Sequence, residues 1–423
     1  MLCIRNGRVI NPAEDMDLVT DVWIQDDRIV GYGKEPPAAY DGSVDYLDAR
    51  GCIVAPGFVD VHVHFRDPGF TYKEDLESGS RAAAAGGYTT VVCMANTKPV
   101  VDRPEILDDI LARASSLPVH LHQVSAVSRD FAGRELVDFG EMAAHGACGF
   151  SDDGIPLTDA GLIRRAMVEA KKVDLPISLH EEDPFLNELN GINKGYVSDQ
   201  MGLPGAPTVS EEVMVARDIM LALDTGAKVD IQHISSGRTV DLIRFAKSLG
   251  ARVYGEAAPH HFSLTEEDVL TYGTLCKMNP PLRTDWDRVK IIEGLADGTI
   301  DIIATDHAPH STEEKERDFK DAPSGIIGLE TALSVGLTFL VHRGHLSLLE
   351  LIRKMTLNPA ELYGFDCGDI SPGKKADVVI FDPNESRTVE DFVSKAENSP
   401  YLGMRLFGKV YYTICDGKVI YRG

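Results

Sequence analysis

The central part of the chain alternates between short apolar runs and longer segments with helical periodicity. Apolar runs typical of buried strands lie at 57–65, 88–96, 119–126, 147–152, 176–181, 228–235, 251–258 and 300–305. Helical segments separate most of these runs, for example at 75–85, 104–115, 158–173, 210–223 and 239–249. These eight alternations predict an α/β fold with a closed (β/α)8 TIM barrel, and a doubly wound open sheet is the alternative. No GxGxxG motif follows an early strand, which argues against a dinucleotide-binding fold.

The two ends of the chain have a different, β-rich pattern. Residues 2–10 predict two short strands with a hairpin turn at Asn6-Gly7. Neither end carries enough strands for a core of its own, so we expect both to form one small β-sandwich domain. The expected division is 1–55 for the N-terminal part of the β domain, 56–364 for the catalytic barrel and 365–423 for the C-terminal part of the β domain.

Composition and charge restrict the class of function. The 423 residues are 43% hydrophobic and 26% charged, as in ordinary globular proteins, and the net charge is −24. Such an acidic chain is a poor partner for nucleic acid or for an anionic membrane, so a small-molecule enzyme or a protein-binding module is favoured. The seven cysteines form no CxxC pair, and no signal peptide or spanning apolar stretch is apparent. We therefore expect reduced thiols and a cytoplasmic location.

The strongest local chemical signal is a pair of histidines, His62 and His64. Residues at i and i+2 of a strand point to the same face, and at the carboxyl end of a barrel strand they point into the mouth. One such pair also occurs by chance. A second pair, His120 and His122, lies near the start of its strand, where barrel residues serve stability, and we interpret it as structural.

Later strands also end in metal-binding residue types. Asp152-Asp153 end the fourth strand, His180 the fifth, His233 the sixth and Asp306 the eighth. Imidazole and carboxylate ligands without thiolate suit Zn²⁺ or a similar divalent ion. Six ligands exceed one tetrahedral zinc site and fit two metals about 3.5–4 Å apart.

Five sequence blocks carry a resemblance to a known family. They are DVHVHFRDPG at 60–69, MANTKP at 94–99, FSDDG at 150–154, KMNPPLR at 277–283 and ATDHAPH at 304–310. With these blocks the chain resembles the amidohydrolase superfamily, whose barrels are of the metal-dependent hydrolase type, and within it the bacterial multi-segment class of dihydroorotases. The resemblance covers nearly the whole chain.

The resemblance implies a metal site and a role for each ligand. It implies one or two Zn²⁺ per subunit, with two favoured, held by His62, His64, Asp153, His180, His233 and Asp306. The histidines of 62–64 would hold the first metal and the other two histidines the second. Motif register favours Asp153 over Asp152 as the bridging ligand. The alternative is another cyclic amidohydrolase, a hydantoinase or an allantoinase. These relatives bridge their metals with a carboxylated lysine, and the absence of lysine from 149–153 counts against them.

The resemblance also implies a reaction and substrate contacts. The reaction is the reversible cyclisation of N-carbamoyl-L-aspartate to L-dihydroorotate in de novo pyrimidine (UMP) biosynthesis. A metal-bridging hydroxide would attack the ring carbonyl, and Asp306 would carry the proton to the leaving nitrogen. The implied substrate contacts are His64, Arg66, Asn96, Asn279, His310, Ser324 and Gly325. For Arg66, the alternative is a surface ion pair with Asp67 or Glu74.

Further expectations concern partners and neighbouring residues. A homodimer and an association with aspartate carbamoyltransferase are implied, and a non-catalytic scaffold for that enzyme is disfavoured because all six ligand positions are kept. His260 and His261 either hydrogen-bond to the metal ligands or pack in the core. The charged loop 309–325 is either a mobile lid or a static solvated loop. Lys98 and Lys277 are expected near the barrel mouth, and the sequence does not decide whether they tune its charge.

Overall fold

The computed structural model describes residues 1–36, 40 and 42–423. Its strands are β1 Leu2–Asn11, β2 Met16–Gln25, β3 Arg28–Tyr32, β4 Asp45–Asp48, β5 Ile53–Pro56, β6 Phe58–Val63, β7 Tyr88–Cys93, β8 His120–Gln123, β9 Ile177–Leu179, β10 Val229–Ile231, β11 Val253–Ala257, β12 Ile302–Ile303, β13 Val378–Thr388, β14 Arg405–Cys415 and β15 Lys418–Arg422. Its α-helices are α1 Leu76–Gly86, α2 Pro104–Ala114, α3 Phe139–Ala144, α4 Ala160–Lys172, α5 Tyr196–Gln200, α6 Val209–Thr225, α7 Gly237–Ser248, α8 Pro259–Ser263, α9 Asp268–Tyr272, α10 Asp285–Asp297, α11 Thr312–Lys315, α12 Ala332–Gly336, α13 Leu348–Met355 and α14 Leu357–Tyr363.

The central strands close into a parallel barrel. Strands β6 to β8 pair in one sheet and β9 to β12 in another. Parallel bridges from Phe150 to Ser125 and to Ile177 join the two sheets on one side, and the bridge between Val63 and His307 joins them on the other. Closure excludes the open-sheet alternative and confirms the TIM barrel. The fourth member, predicted at 147–152, consists only of the bridges at Phe150.

The barrel helices begin and end at residues suited to those positions. Asp75 caps α1, because its carboxylate accepts a hydrogen bond from the Ser78 amide at 2.7 Å. The helix ends at Gly87, whose φ of 92° suits glycine. The apolar side of α4 is buried against the barrel. Helix α6 has 17 residues, more than any other helix of the described residues. Within the described residues, no helix combines the length and apolarity that crossing a membrane requires.

The two ends of the chain contribute to one shared eight-stranded sheet. Its order is β15-β14-β13-β5-β1-β2-β3, with β4 also paired to β1. Antiparallel pairing of β5 with β13 joins the N-terminal strands to the C-terminal ones. A cluster of buried residues from both ends, including Ile4, Val54, Val378 and Ile414, forms a core separate from that of the barrel.

The hairpin predicted at Asn6-Gly7 is wrong. Strand β1 runs through this dipeptide without reversing, and its register against β2 shifts between Ile4 and Gly7. Asn6 has a φ of 62°, which bends the strand as a bulge. The physical reason is that β1 has two partners on its other edge. Before the bulge it pairs with β4, and after the bulge it pairs with β5.

Candidate active site

A cavity of about 160 Å³ lies at the carboxyl ends of the barrel strands. It is lined by His64, Arg66, Asn96, Asp153, Gly154, His180, His233, Asn279, Asp306, Ala308, His310, Ser324 and Gly325. The structure thus brings together every site residue predicted from the sequence except His62. That residue is fully buried directly behind the wall, with its Nε2 atom 3.4 Å from Asp153 Oδ1.

Asp153 lies at the centre of the first group of possible metal ligands. His64 Nε2 is 3.4 Å from Asp153 Oδ2, and His62 Nε2 faces Oδ1 of the same carboxylate. Asp306 Oδ1 is 3.1 Å from His64 Nε2 and 3.6 Å from His62 Nε2. Four side chains from three barrel strands therefore converge on one point.

The second group shares the same carboxylate. His180 Nδ1 is 2.9 Å from His233 Nε2, and each of these nitrogens is 3.5 Å from Asp153 Oδ1. In the described part of the chain, His62 Nε2 and Asp153 Oδ1 are buried without a hydrogen-bond partner. Nitrogen and oxygen atoms at these separations can surround a divalent ion about 2.0–2.2 Å from each. The residues present therefore fit metal binding in two groups that share Asp153.

The charges of the cluster also favour cations. Burial lowers the pKa of His62, but the carboxylates of Glu256 and Asp153 outweigh it and raise the pKa well above its ordinary value. Burial likewise opposes protonation of His180, yet Asp153 and Glu182 raise its pKa to about 10. Burial alone would raise the pKa of Asp153, but the imidazoles hold it far below its ordinary value. The carboxylates thus attract positive charge into the place where metal ions would bind.

Two buried carboxylates that were not predicted orient the imidazoles. Glu256 Oε1 accepts a hydrogen bond from His62 Nδ1 at 2.9 Å and another from the His233 amide at 3.1 Å. Glu182 Oε2 lies 3.0 Å from His180 Nε2. These bonds leave His62 Nε2 and His180 Nδ1 to face Asp153, as outer partners of metal ligands do. Glu256 lies near the end of the seventh predicted strand, but this position alone does not distinguish it from other acidic residues.

Other predicted neighbours lie outside the cluster. Asp152 accepts hydrogen bonds from the amides of Val127 at 2.7 Å and Ser128 at 3.1 Å, so it supports the backbone. His261 Nε2 donates to Pro280 O at 3.0 Å. Among the described residues, neither His260 nor His261 hydrogen-bonds to a cluster residue, so the packing alternative is the better description.

Arg66 has no carboxylate partner among the described residues. The alternative ion pair is wrong because Asp67 pairs with Arg113 at 2.9 Å, and Glu74 is buried against other residues. The guanidinium donates to Pro309 O at 3.3 Å and otherwise faces the cavity. An unpaired guanidinium in a cavity wall is suited to bind an anionic group bidentately.

The remaining polar groups of the wall are linked by hydrogen bonds. Asn96 Oδ1 lies 2.9 Å from His64 Nδ1. His310 Nε2 donates to Ser324 O at 2.8 Å, and Ser324 Oγ donates to Asn279 Oδ1 at 3.0 Å. Hydrogen bonds therefore connect His310, Ser324 and Asn279 into one part of the cavity wall.

Two buried lysines hold the loop 309–325 in place. Lys277 Nζ donates to Phe319 O and Ala322 O, both at 2.6 Å. Lys315 Nζ donates to Pro323 O and to the carbonyl of Gly325, both at 3.0 Å. The ammonium group of Lys277 is therefore turned into the loop, which answers the question that the sequence left open.

Comparison with known proteins agrees with this geometry. Residues 53–420 match the model of the Amidohydrolase family. A dihydroorotase of Clostridioides difficile (strain 630) is 58% identical over 424 residues, with 100% of both chains covered. A dihydroorotase of Lactococcus lactis subsp. lactis (strain IL1403) is 52% identical, covering 100% of this chain and 99% of its own. Among solved structures, an L-hydantoinase from Arthrobacter aurescens superposes with a TM-score of 0.88 at 26% identity, covering 100% of this chain and 96% of its own. The chain therefore belongs to the amidohydrolase family and, within it, to the dihydroorotases.

Proposed function

We propose that the chain catalyses the reversible cyclisation of N-carbamoyl-L-aspartate to L-dihydroorotate in de novo pyrimidine biosynthesis. The observation that carries this proposal is one cavity that holds both the Asp153-centred cluster and the unpaired Arg66. The substrate has matching parts, a cyclic amide to be opened or closed and a carboxylate to be bound. The full-length similarity to dihydroorotases supports the same conclusion.

We propose that the cluster holds one or two Zn²⁺, with two favoured. His62, His64 and Asp306 would hold one metal, His180 and His233 would hold the other, and Asp153 would be a ligand common to both sites. When bound, zinc lowers the pKa of a water molecule to about 7 and polarises a carbonyl oxygen. The nitrogen and oxygen donors without thiolate suit this metal.

The chain's own residues then move the proton and orient the substrate. Burial alone would raise the pKa of Asp306, but His64 and His62 hold it below its ordinary value, so the carboxylate is ionised and has no proton of its own. Asp306 accepts a proton on one side of the reacting carbonyl and returns it to the leaving nitrogen. Arg66, Asn96 and His310 bind the carboxylate, and Asn279 with the backbone of Ser324 and Gly325 contacts the ring.

The alternative activity is that of a hydantoinase or an allantoinase. The similarity in fold to an L-hydantoinase favours it, but among the described residues no lysine lines the cavity. The test measures bound metal together with kcat/KM for L-dihydroorotate and for hydantoin. We expect bound zinc and a strong preference for dihydroorotate. Comparable rates with hydantoin would overturn the proposal, and no activity after zinc reconstitution would favour a non-catalytic scaffold.

The proposed proton transfer predicts the effect of Asp306→Asn. The amide keeps the shape of the side chain but cannot accept the proton, so kcat should fall about 10²- to 10⁴-fold. Metal content, measured by elemental analysis, should be partly retained because the four histidines and Asp153 remain. Near-normal turnover in this variant would contradict the proton-shuttle role.

We also propose a cytoplasmic homodimer that associates with aspartate carbamoyltransferase, and a β-sandwich domain formed by 1–55 and 365–423 around the barrel of 56–364. The separate buried cluster of the two ends supports the domain proposal. Sedimentation of the chain alone and with the carbamoyltransferase tests the assembly. A monomer at all concentrations, or no co-sedimentation, would contradict the respective part.

A further inference from the structure

A further group of side chains that could bind a metal, separate from both groups of the cavity, lies at the opposite end of the barrel. His120 is the first residue of β8, Cys415 is the last residue of β14 and Asp416 is in the following turn. One ligand atom from each of the three lies within 4.8 Å of the others. Asp377, just before β13, adds a carboxylate, with Oδ2 at 3.3 Å from His120 Nε2.

Two of the possible ligand atoms of this group are buried without a hydrogen-bond partner in the described part of the chain. These atoms are His120 Nε2 and Asp377 Oδ2. The Asp377 side chain is 4% exposed, and its other oxygen accepts from the Asp416 amide at 2.8 Å. Asp416 Oδ1 is 3.5 Å from the same histidine nitrogen. Ligands bound at about 2.0–2.3 Å around one tetrahedral ion are separated by roughly these distances.

We propose that His120, Asp377, Cys415 and Asp416 hold one divalent cation of the zinc class as a structural site. The donor set of one imidazole, one thiolate and two carboxylates suits tetrahedral zinc. The ion would fasten the C-terminal strands to the amino end of the barrel, far from the reacting groups. Its effect is therefore on stability, independent of the proposed function.

The surroundings allow an ion to reach the group, where it would compete with the weak hydrogen bond that Cys415 Sγ donates to Thr89 O at 3.9 Å. A cleft of about 640 Å³, lined in part by Asp26, Asp27 and Asp416, opens beside the group. Burial and then the charges of Asp377 and Asp416 raise the pKa of Cys415, so the metal must displace the thiol proton. Lys375 and Lys418 also line this cleft, and Lys375 Nζ is 3.8 Å from Asp416 Oδ1. Among the described residues, neither lysine forms an ion pair with Asp377.

Cobalt binding tests the site without relying on activity. Co²⁺ bound to a thiolate gives a near-ultraviolet charge-transfer band, and the cavity cluster has no cysteine among its proposed ligands. Titration of the metal-free protein with Co²⁺ should give this band with the intensity of one thiolate-bound cobalt per chain. Cys415→Ser should abolish it, whereas Cys3→Ser, a change of another buried cysteine in the same sheet, should retain it.

A second variant and a metal count complete the test. His120→Asn should also remove the band, and zinc content should fall by one ion per chain in both variants. Turnover of dihydroorotate should stay within about twofold of that of the unaltered protein, and the midpoint of thermal unfolding should fall. No band in the unaltered protein, or an unchanged band in Cys415→Ser, would overturn the proposal. Absence of turnover in the unaltered protein and in every variant would instead contradict the proposed function.

Discussion

At the scale of single residues, one buried carboxylate organises both metal-binding groups. Glu256 reaches His62 of the first group through its side chain and His233 of the second through its backbone amide. A single charge therefore fixes the ring of one ligand and the backbone position of another. His233 has a φ of 33°, a backbone conformation that such an added hydrogen bond helps to maintain.

Glu256→Gln tests this role. The amide keeps the shape but removes the charge that supports His62, so metal affinity should fall about 10- to 100-fold. Competition with a chelator measures the affinity, and the zinc content at equal chelator should drop. The matched control is Glu266→Gln, a buried carboxylate bound to Asn193 away from the cluster. Equal affinities in both variants would show that Glu256 serves packing alone.

Arg66→Ala tests recognition of the substrate carboxylate. Loss of the unpaired guanidinium should raise KM for dihydroorotate about tenfold or more, equivalent to at least ~1.4 kcal/mol, with a smaller change in kcat. Arg66→Lys should recover part of the loss, because it restores charge without the bidentate geometry. Arg113→Ala, which breaks the pair with Asp67, is the control. An unchanged KM in Arg66→Ala would exclude the binding role.

Some of these residues could be predicted from the sequence and others could not. The histidine pair of 62–64 was informative because strand alternation fixes the direction of both side chains. Glu256 was not, because a single acidic residue in a strand has no distinguishing spacing. The unpaired state of Arg66 was also hidden, since the partner of its neighbour Asp67 is the distant Arg113. Whether a charge is paired depends on contacts between residues that are remote in sequence.

At the scale of elements, the strand and helix pattern was well predicted and two local features were not. The predicted helix at 104–115 begins and ends within one residue of α2. The strand predicted at 147–152 was less accurate. In the structure, this barrel member pairs with its neighbours only through the single-residue bridges of Phe150. Asn6-Gly7 became a bulge because β1 changes partners there, and an Asn-Gly signal by itself does not distinguish a bulge from a turn.

The loop 309–325 gives the prediction at this scale. Lys315 is buried, and Lys315→Met would leave carbonyls of the loop without their donor, at a cost of about 1–3 kcal/mol for each buried group. Amide hydrogen exchange in the loop should accelerate. KM should also rise, because Ser324 and Gly325 line the cavity. Lys320→Met, an exposed change on the same loop, is the control. Unchanged exchange would mean that the loop is held by other contacts.

At the scale of the whole molecule, the net charge of the protein has the same sign as the charge of its proposed substrates. The chain is a cyclic amide hydrolase with a net charge of −24, while the proposed substrates are anions. Arg66 and the proposed metals supply attraction only within the cavity. The net charge was a sound argument against nucleic acid, but it contained no information on the local field of the site.

This arrangement predicts an unusual dependence on salt. Screening weakens the long-range repulsion between the acidic body and the substrate more than the short-range attraction within the cavity. Raising NaCl from about 10 to about 150 mM should therefore increase kcat/KM for N-carbamoyl-L-aspartate about twofold, with little change in kcat. Steady-state kinetics at constant pH measure both parameters. A decrease in kcat/KM would show that the cavity's positive field extends beyond the surface.

The pairing of β5 with β13 has a consequence for synthesis. On the ribosome, the N-terminal strands emerge long before β13, because the entire barrel is translated between them. Until then, the nascent chain presents β5 with an open hydrogen-bonding edge, a hazard for association with other chains. The strand that covers this edge, β13, is translated only after the barrel. A chain truncated before β13 therefore keeps the edge of β5 open and exposed to association with other chains.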